Sequence, residues 1–138
     1  MFAEPVDITT KLPPNLQSLL LSSKWKERKE VLDELLTLLS GTPRIKDASE
    51  LGELARSLAV RIQGDANINC VMTAASCMEA LAKGMSSSFS RFRESVVPHM
   101  LERLKERKSN VTSVIGEALD AVFATVCSSH SPHSIFQT

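Results

Sequence analysis

The sequence predicts an all-α fold: an α-solenoid of HEAT-type helical hairpins, with about three repeats and six helices. Three observations carry this. The first is composition: 138 residues contain only 5 Gly and 6 Pro, one Trp and no Tyr, which is poor material for strands and tight turns and good material for helices. The second is that apolar residues recur at spacings of three and four along most of the chain. The third is a period. The inner corners of three successive helix pairs fall at Trp25, Asn67 and Asn110, steps of 42 and 43 residues. Two helices per unit and a period of about 40–47 residues are the signature of HEAT-type repeats, and near-equal steps favour the repeat over an irregular six-helix bundle. Three units are about the least that stand without help.

Residues 1–10 lack a helical period and contain Pro5, so they read as an extended leader. Pro13 and Pro14 precede a short first helix, with Leu16, Leu19 and Leu20 on one face. Ser22 and Ser23 end it, and Ser23 is a candidate N-cap for the next. The second helix is KWKERKEVLDELLTLLSG, with Val31, Leu32, Leu35, Leu36, Leu38 and Leu39 against the core and charged residues opposite. Gly41 and Pro43 stop it. Leu51, Leu54, Leu58 and Ile62 give a third helix over 47–63, and Gly64 to Asn67 carry turn chemistry. The fourth helix runs from about Ile68 to Met85. Its Ala, Cys, Met and Val residues suit packing on more than one face. Ser86–Ser88 form a joint and residues 89–92 a single turn. Pro98 marks the start of the fifth helix, with Met100, Leu101 and Leu104 as its stripe. Lys108–Asn110 make another break. The sixth helix runs from about Val111 to Cys127, and residues 128–138 form a polar, disordered tail after a helical unit over 11–127.

Sixteen Lys plus Arg balance sixteen Asp plus Glu. That excludes bulk attraction to nucleic acid as the main activity. No apolar run approaches the roughly 18–20 residues that cross a bilayer, and the N-terminus lacks the basic and apolar regions of a signal peptide. Neither nucleic acid nor membrane is therefore expected as a partner. Cys70, Cys77 and Cys127 read as reduced, buried small hydrophobes of a cytosolic or nuclear protein. No phosphate-cradling loop, CxxC pair or His-x-x-x-His occurs, so neither a metal nor a cofactor is expected. His130 and His133 stand among serines in SSHSPHS, but a catalytic triad needs a rigid scaffold and this is a low-complexity stretch. No catalytic residue is assigned, and the chain reads as a binding module.

In a solenoid the turns inside successive hairpins line up along one edge, which suits a protein partner. Here that edge would carry Lys24, Trp25 and Lys26, then Asp65 to Asn69, then Lys108, Ser109, Asn110 and Val111. Trp25, the only Trp, sits at a corner outside the leucine stripe. It could staple the first helix to the second, or face outward as an anchor, where Trp is over-represented among energetic hot spots. Lys24, Lys26, Lys105, Arg107 and Lys108 would surround it with positive charge suited to an acidic partner.

The stretches KLPPNL and SSKWKERKEVLDELLTLL, GDANINCVMTAASCMEALAKGM, and VVPHMLERLKERKSNVTSVIGEALDAVFATV resemble a TOG domain, most of all the second TOG domain of the XMAP215/Dis1 family. The resemblance covers roughly Lys11 to Val126, and the KWKERKE corner is its most specific part. It implies a non-enzymatic module that binds αβ-tubulin through its intra-repeat loops, at microtubule plus ends, kinetochores and spindle poles in the cytoplasm. Residue by residue, it implies tubulin contacts from Lys24, Trp25, Lys26, Asn67, Ile68, Lys108, Ser109 and Asn110, mainly on the β subunit. A TOG domain of this family resembles six repeats where this chain supplies about three, so the loops directed at α-tubulin are missing. Leu119 and Phe123 on the last hairpin would then lose a covering neighbour, which favours self-association. A HEAT scaffold gripping some other protein by its helix faces is the alternative reading.

Overall fold

In the computed structural model, residues 4–105 and 109–125 are described. They form six α-helices and one 3-10 helix: α1 (Leu16–Leu20), α2 (Trp25–Ser40), α3 (Glu50–Gly64), α4 (Ile68–Met85), the 3-10 helix (Ser86–Phe92), α5 (Arg93–Arg103) and α6 (Ser109–Phe123). Successive helices pair as α1–α2, α3–α4 and α5–α6. The first members pack in one layer, α1 on α3 on α5, and the second members in another, α2 on α4 on α6. This two-layer ladder is the HEAT-type solenoid.

Helix α4 is the middle rung, touching α2, α3 and α6. Its buried residues, Cys70, Val71, Thr73, Ala74, Ala75, Cys77, Met78, Leu81, Ala82 and Met85, spread round most of its circumference. Small side chains let three neighbours approach. The Cys77 thiol donates to the carbonyl of Leu32 on α2 at 3.4 Å, and burial pushes its pKa up to about 12. Cys70 and Cys77 are buried, and Cys127 lies outside the described residues.

The turns between layers and the links between repeats lie on opposite edges. At the linking edge, Val6 forms a parallel bridge with Ile45, its N–H bonding Arg44 O at 3.0 Å and its carbonyl taking Lys46 N–H at 2.8 Å. Ile45 N–H in turn bonds Gly84 O at 2.9 Å, and Ile8 is fully buried. The extended segment ahead of α1 is thus tied to the body by a non-local pairing. Asp47 pairs with Arg91, whose guanidinium also lies 4.6 Å over the Phe92 ring. Phe89 and Phe92 meet edge to face at 5.5 Å.

Several boundaries differ from the sequence expectation. The N-terminal boundary of α2 is Lys24, not Ser23, and Ser22 serves it: its hydroxyl accepts from Lys24 N–H at 3.1 Å and donates to Glu27 at 2.6 Å. Helix α3 begins at Glu50, because Asp47 is committed to Arg91. Helix α5 begins at Arg93, five residues before Pro98, which lies inside it. The 3-10 turn anchored by the two buried phenylalanines feeds directly into α5, and Pro98 is exposed, where water can take the carbonyl its ring leaves unbonded. Ser109 and Asn110 form the first residues of α6 rather than a break. Leu119 faces inward at 5% exposure, on the stripe with Val111, Ile115, Ala118 and Val122, while Phe123 is half-buried. Helix α6 packs on α4, and the 3.6-residue period places Leu119 four after Ile115 on that contact face. Val126, Cys127 and the segment 128–138 lie outside the described residues, as do its two histidines.

Two helical glycines make a contrasting pair. A Cβ on Gly84 would stand 2.5 Å from Ile45 Cδ1 and 2.7 Å from its Cγ1, and Ile45 is stiff and held by its backbone bond. Gly84→Ala should lower stability by about 1–2 kcal/mol despite the gain in helix propensity. At Gly116 a Cβ would meet nothing within 4 Å among the described residues. Gly116→Ala should raise stability by about 0.5–1 kcal/mol. Thermal unfolding followed by circular dichroism should show opposite shifts in midpoint; shifts of the same sign would contradict the packing at 84.

Candidate functional site

The edge opposite the repeat links carries the turns of the first two hairpins and the described flanks of the third, residues 104–105 and 109–110. The first turn leads into α2. Trp25 is the first helical residue and is 40% exposed as a whole; Lys24 and Lys26 beside it are exposed. Trp25 thus faces outward, off the stripe of Val31, Leu32, Leu35 and Leu39 that fills the core.

The second turn joins α3 to α4. Asn67 caps α4: its side chain accepts from Asn69 N–H at 2.9 Å and Cys70 N–H at 3.4 Å. Ile68 is half-buried against the core. Two sequence-assigned residues of this turn therefore shape it as well as line it. In the third turn, Lys108 and Arg107 lie outside the described residues, Ser109 is placed only as a residue of α6, and Asn110 is exposed with its side-chain oxygen accepting from Val111 N–H at 3.0 Å. Lys105 is exposed and paired with Glu102 at 3.0 Å.

A buried ionic network stitches these turns together. Arg28 sits one turn into α2, on the inward stripe, and is 8% exposed. Its Nε and Nη2 donate to the two carboxylate oxygens of Asp65 at 2.8 and 2.9 Å. Its Nη1 donates to Ser22 O in the first turn at 2.7 Å. Asp65, 1% exposed, also accepts from Asn67 N–H at 2.8 Å and from Arg61 at 3.4 Å. From the end of α5, Arg103 donates to the backbone oxygens of Asp65 and Gln63 at 3.0 and 3.1 Å. The Cys70 thiol reaches Trp25 O at 3.5 Å. Burial alone would push the Asp65 carboxyl up, but the Arg28 fork, the Asn67 N–H and the charges of Arg28 and Arg61 outweigh it and hold it below the usual carboxylate range. Arg28 is raised in turn, chiefly by its bond to Asp65.

Sequence reasoning placed Asp65 on this edge without its partners and passed over Arg28 and Arg103. The signal was present: residues 28, 31, 32, 35 and 39 share one helix face, so Arg28 is a charge on an apolar stripe and needs a buried counter-charge. Among the described residues, no group of three or more His, Cys, Asp or Glu could hold a metal ion, and no helix is long and apolar enough to cross a membrane.

Comparison with known proteins bears on what this edge is. No family model matches the chain. It is 46% identical over 122 residues to Spindle pole body component alp14 of Schizosaccharomyces pombe, covering 88% of this chain. It is 36% identical over 135 residues to Protein mini spindles of Drosophila melanogaster, covering 98% of it. A solved structure concerned with microtubule plus end tracking by XMAP215, CLIP-170 and EB1 superposes with a TM-score of 0.85 at 37% identity, over 90% of this chain and 51% of that one. The chain belongs to the TOG domains of the XMAP215 family. A second structure, concerned with tubulin recruitment and assembly by microtubule polymerases with TOG domain arrays, matches this TOG chain with a TM-score of 0.84 at 34% identity, over 91% of the chain and 26% of its counterpart. The TOG chain spans 15% of the length of alp14 and 7% of that of mini spindles.

Proposed function

We propose that this TOG chain binds αβ-tubulin along the edge formed by its hairpin turns, with Trp25 as the anchor. Lys24 and Lys26 supply positive charge beside it, Asn67 and Ile68 form the second contact, and Lys108, Ser109 and Asn110 the third. The β subunit is the side these turns meet, and the role is non-enzymatic, in microtubule dynamics at the spindle and other microtubule arrays. The observation that carries the reading is the outward indole at the head of a row of turns held side by side, in a chain similar to a structure concerned with tubulin recruitment. Exposed lysines beside the anchor fit an acidic partner and act mainly on association rate and salt dependence.

Sedimentation velocity of the chain with αβ-tubulin tests this. A fast complex is expected with the wild type, weakened by rising salt and by Lys24→Glu with Lys26→Glu. Wild-type protein that sediments alone, or charge reversal without effect, would overturn it. A scaffold gripping a partner by its outer helices would respond instead to Val60→Glu, since Val60 is 42% exposed beside Leu21 at 74%. Runs on the chain alone read self-association through the last repeat, where Val114 and Phe123 are half-buried.

A further inference from the structure

We infer that Arg28 and Asp65 are positioning residues of the binding edge: their fork sets the spacing and angle between the turn carrying Trp25 and the turn carrying Asn67. For its effect on affinity, the inference rests on the tubulin reading above; its geometric part does not.

Each repeat of a solenoid touches only its neighbours, so a small change in the rotation from one hairpin to the next shifts the turns relative to one another. Apolar packing of α2 on α4 is non-directional and sets that rotation loosely. A two-pronged guanidinium–carboxylate contact fixes distance and plane together. This one has a further property. Arg28 also bonds the backbone of the first turn at Ser22 O, and Asp65 also bonds the backbone of the second at Asn67 N–H. The connection therefore runs turn to turn, not merely helix to helix. Arg103 carries it on to the third repeat through Asp65 O, and Cys70 closes it at Trp25 O. Stability alone does not call for such a pair, because a well-packed apolar pair of similar volume serves as well or better. Its place, directly beneath the edge and bonded to both turns, is what a positioning role requires.

The test uses spin labels at Ser23→Cys and Ala66→Cys, both exposed positions in neighbouring turns, in a Cys127→Ser background. Dipolar EPR reads the distance distribution between the turns. Two variants are compared with the parent: Arg28→Met with Asp65→Leu, which keeps the volume apolar, and Asp65→Asn, which serves if the first fails to fold. Both are measured at a temperature where circular dichroism shows full helicity, and tubulin affinity is measured on the unlabelled proteins. A broader distribution is expected in the folded variants, with affinity lower by about tenfold, as mobile turns must be ordered on binding. A folded variant with an unchanged distribution overturns the inference, as does broadening with undiminished affinity. Broadening while even wild-type protein ignores tubulin supports the positioning role and removes the tubulin reading instead.

Discussion

Asp65→Ala should cost about 3–5 kcal/mol of folding stability, because it leaves a buried guanidinium without its counter-charge. Arg28 would keep its bond to Ser22 O but no counter-charge from Asp65, Arg61 would lose its acceptor, and the Asn67 N–H that orients the second turn would lose its partner. For a chain of this size each kcal/mol is worth roughly 3–5 °C in unfolding midpoint, so the midpoint should fall by roughly 10–20 °C. The loss carries a pH signature. The Asp65 carboxyl is held below its ordinary range in the folded state and returns to about 3.9 on unfolding. Its contribution is therefore complete above about pH 4 and is lost as the pH falls through the lower folded value. Denaturant titrations of the two proteins should differ most at pH 6–7 and converge below pH 4. A variant within about 1 kcal/mol of wild type at neutral pH would mean that the ion pair is not formed as described.

Trp25→Ala should weaken tubulin binding by about thirtyfold or more, the loss of about 2 kcal/mol that marks a hot-spot residue. The same substitution should leave the fold nearly untouched. Trp25 is 40% exposed and outside the core stripe, and the bond from Cys70 goes to the backbone oxygen, which alanine keeps. The two effects separate the readings of this residue. An anchor loses affinity and keeps its melting point; a staple between α1 and α2 does the reverse. Isothermal titration with αβ-tubulin and thermal unfolding of the same preparation decide it.

Local periodicity made the helices legible in the sequence. The run from Ile68 to Met85 is bounded by a capping Asn on one side and a serine cluster on the other, and α4 has those limits. The 42- and 43-residue steps between corners pointed to stacked hairpins, because each corner interrupts an apolar stripe that neighbouring hairpins must cover. What was missed was non-local or depended on which face meets what. The Val6–Ile45 bridge joins residues far apart in sequence and leaves no period to read. Pro98 signals a boundary in most helices; here the two phenylalanines before it had already set the chain turning. Leu119 is expected to lose a covering neighbour on the last hairpin, yet its spacing from Ile115 puts it on the contact face with α4, where it is 5% exposed. At the edge, the corner with Trp25 was legible as an oddity, a lone aromatic among charges. The network beneath it was only half legible: the stripe shows that Arg28 is inward, but the identity of its partner 37 residues later follows from the stacking of α2 on α4.

The most direct test of the binding edge is photo-crosslinking. A benzophenone side chain is placed at residue 25, at residue 66 in the neighbouring turn, and at residue 83, where Lys83 is exposed at the end of α4 beside the linking edge. Each protein is illuminated with αβ-tubulin and the adducts are mapped by mass spectrometry. Adducts are expected from positions 25 and 66, on the β subunit, with none from 83. Adducts from 83 alone, or equal yields from all three positions, would contradict a tubulin-binding row of turns.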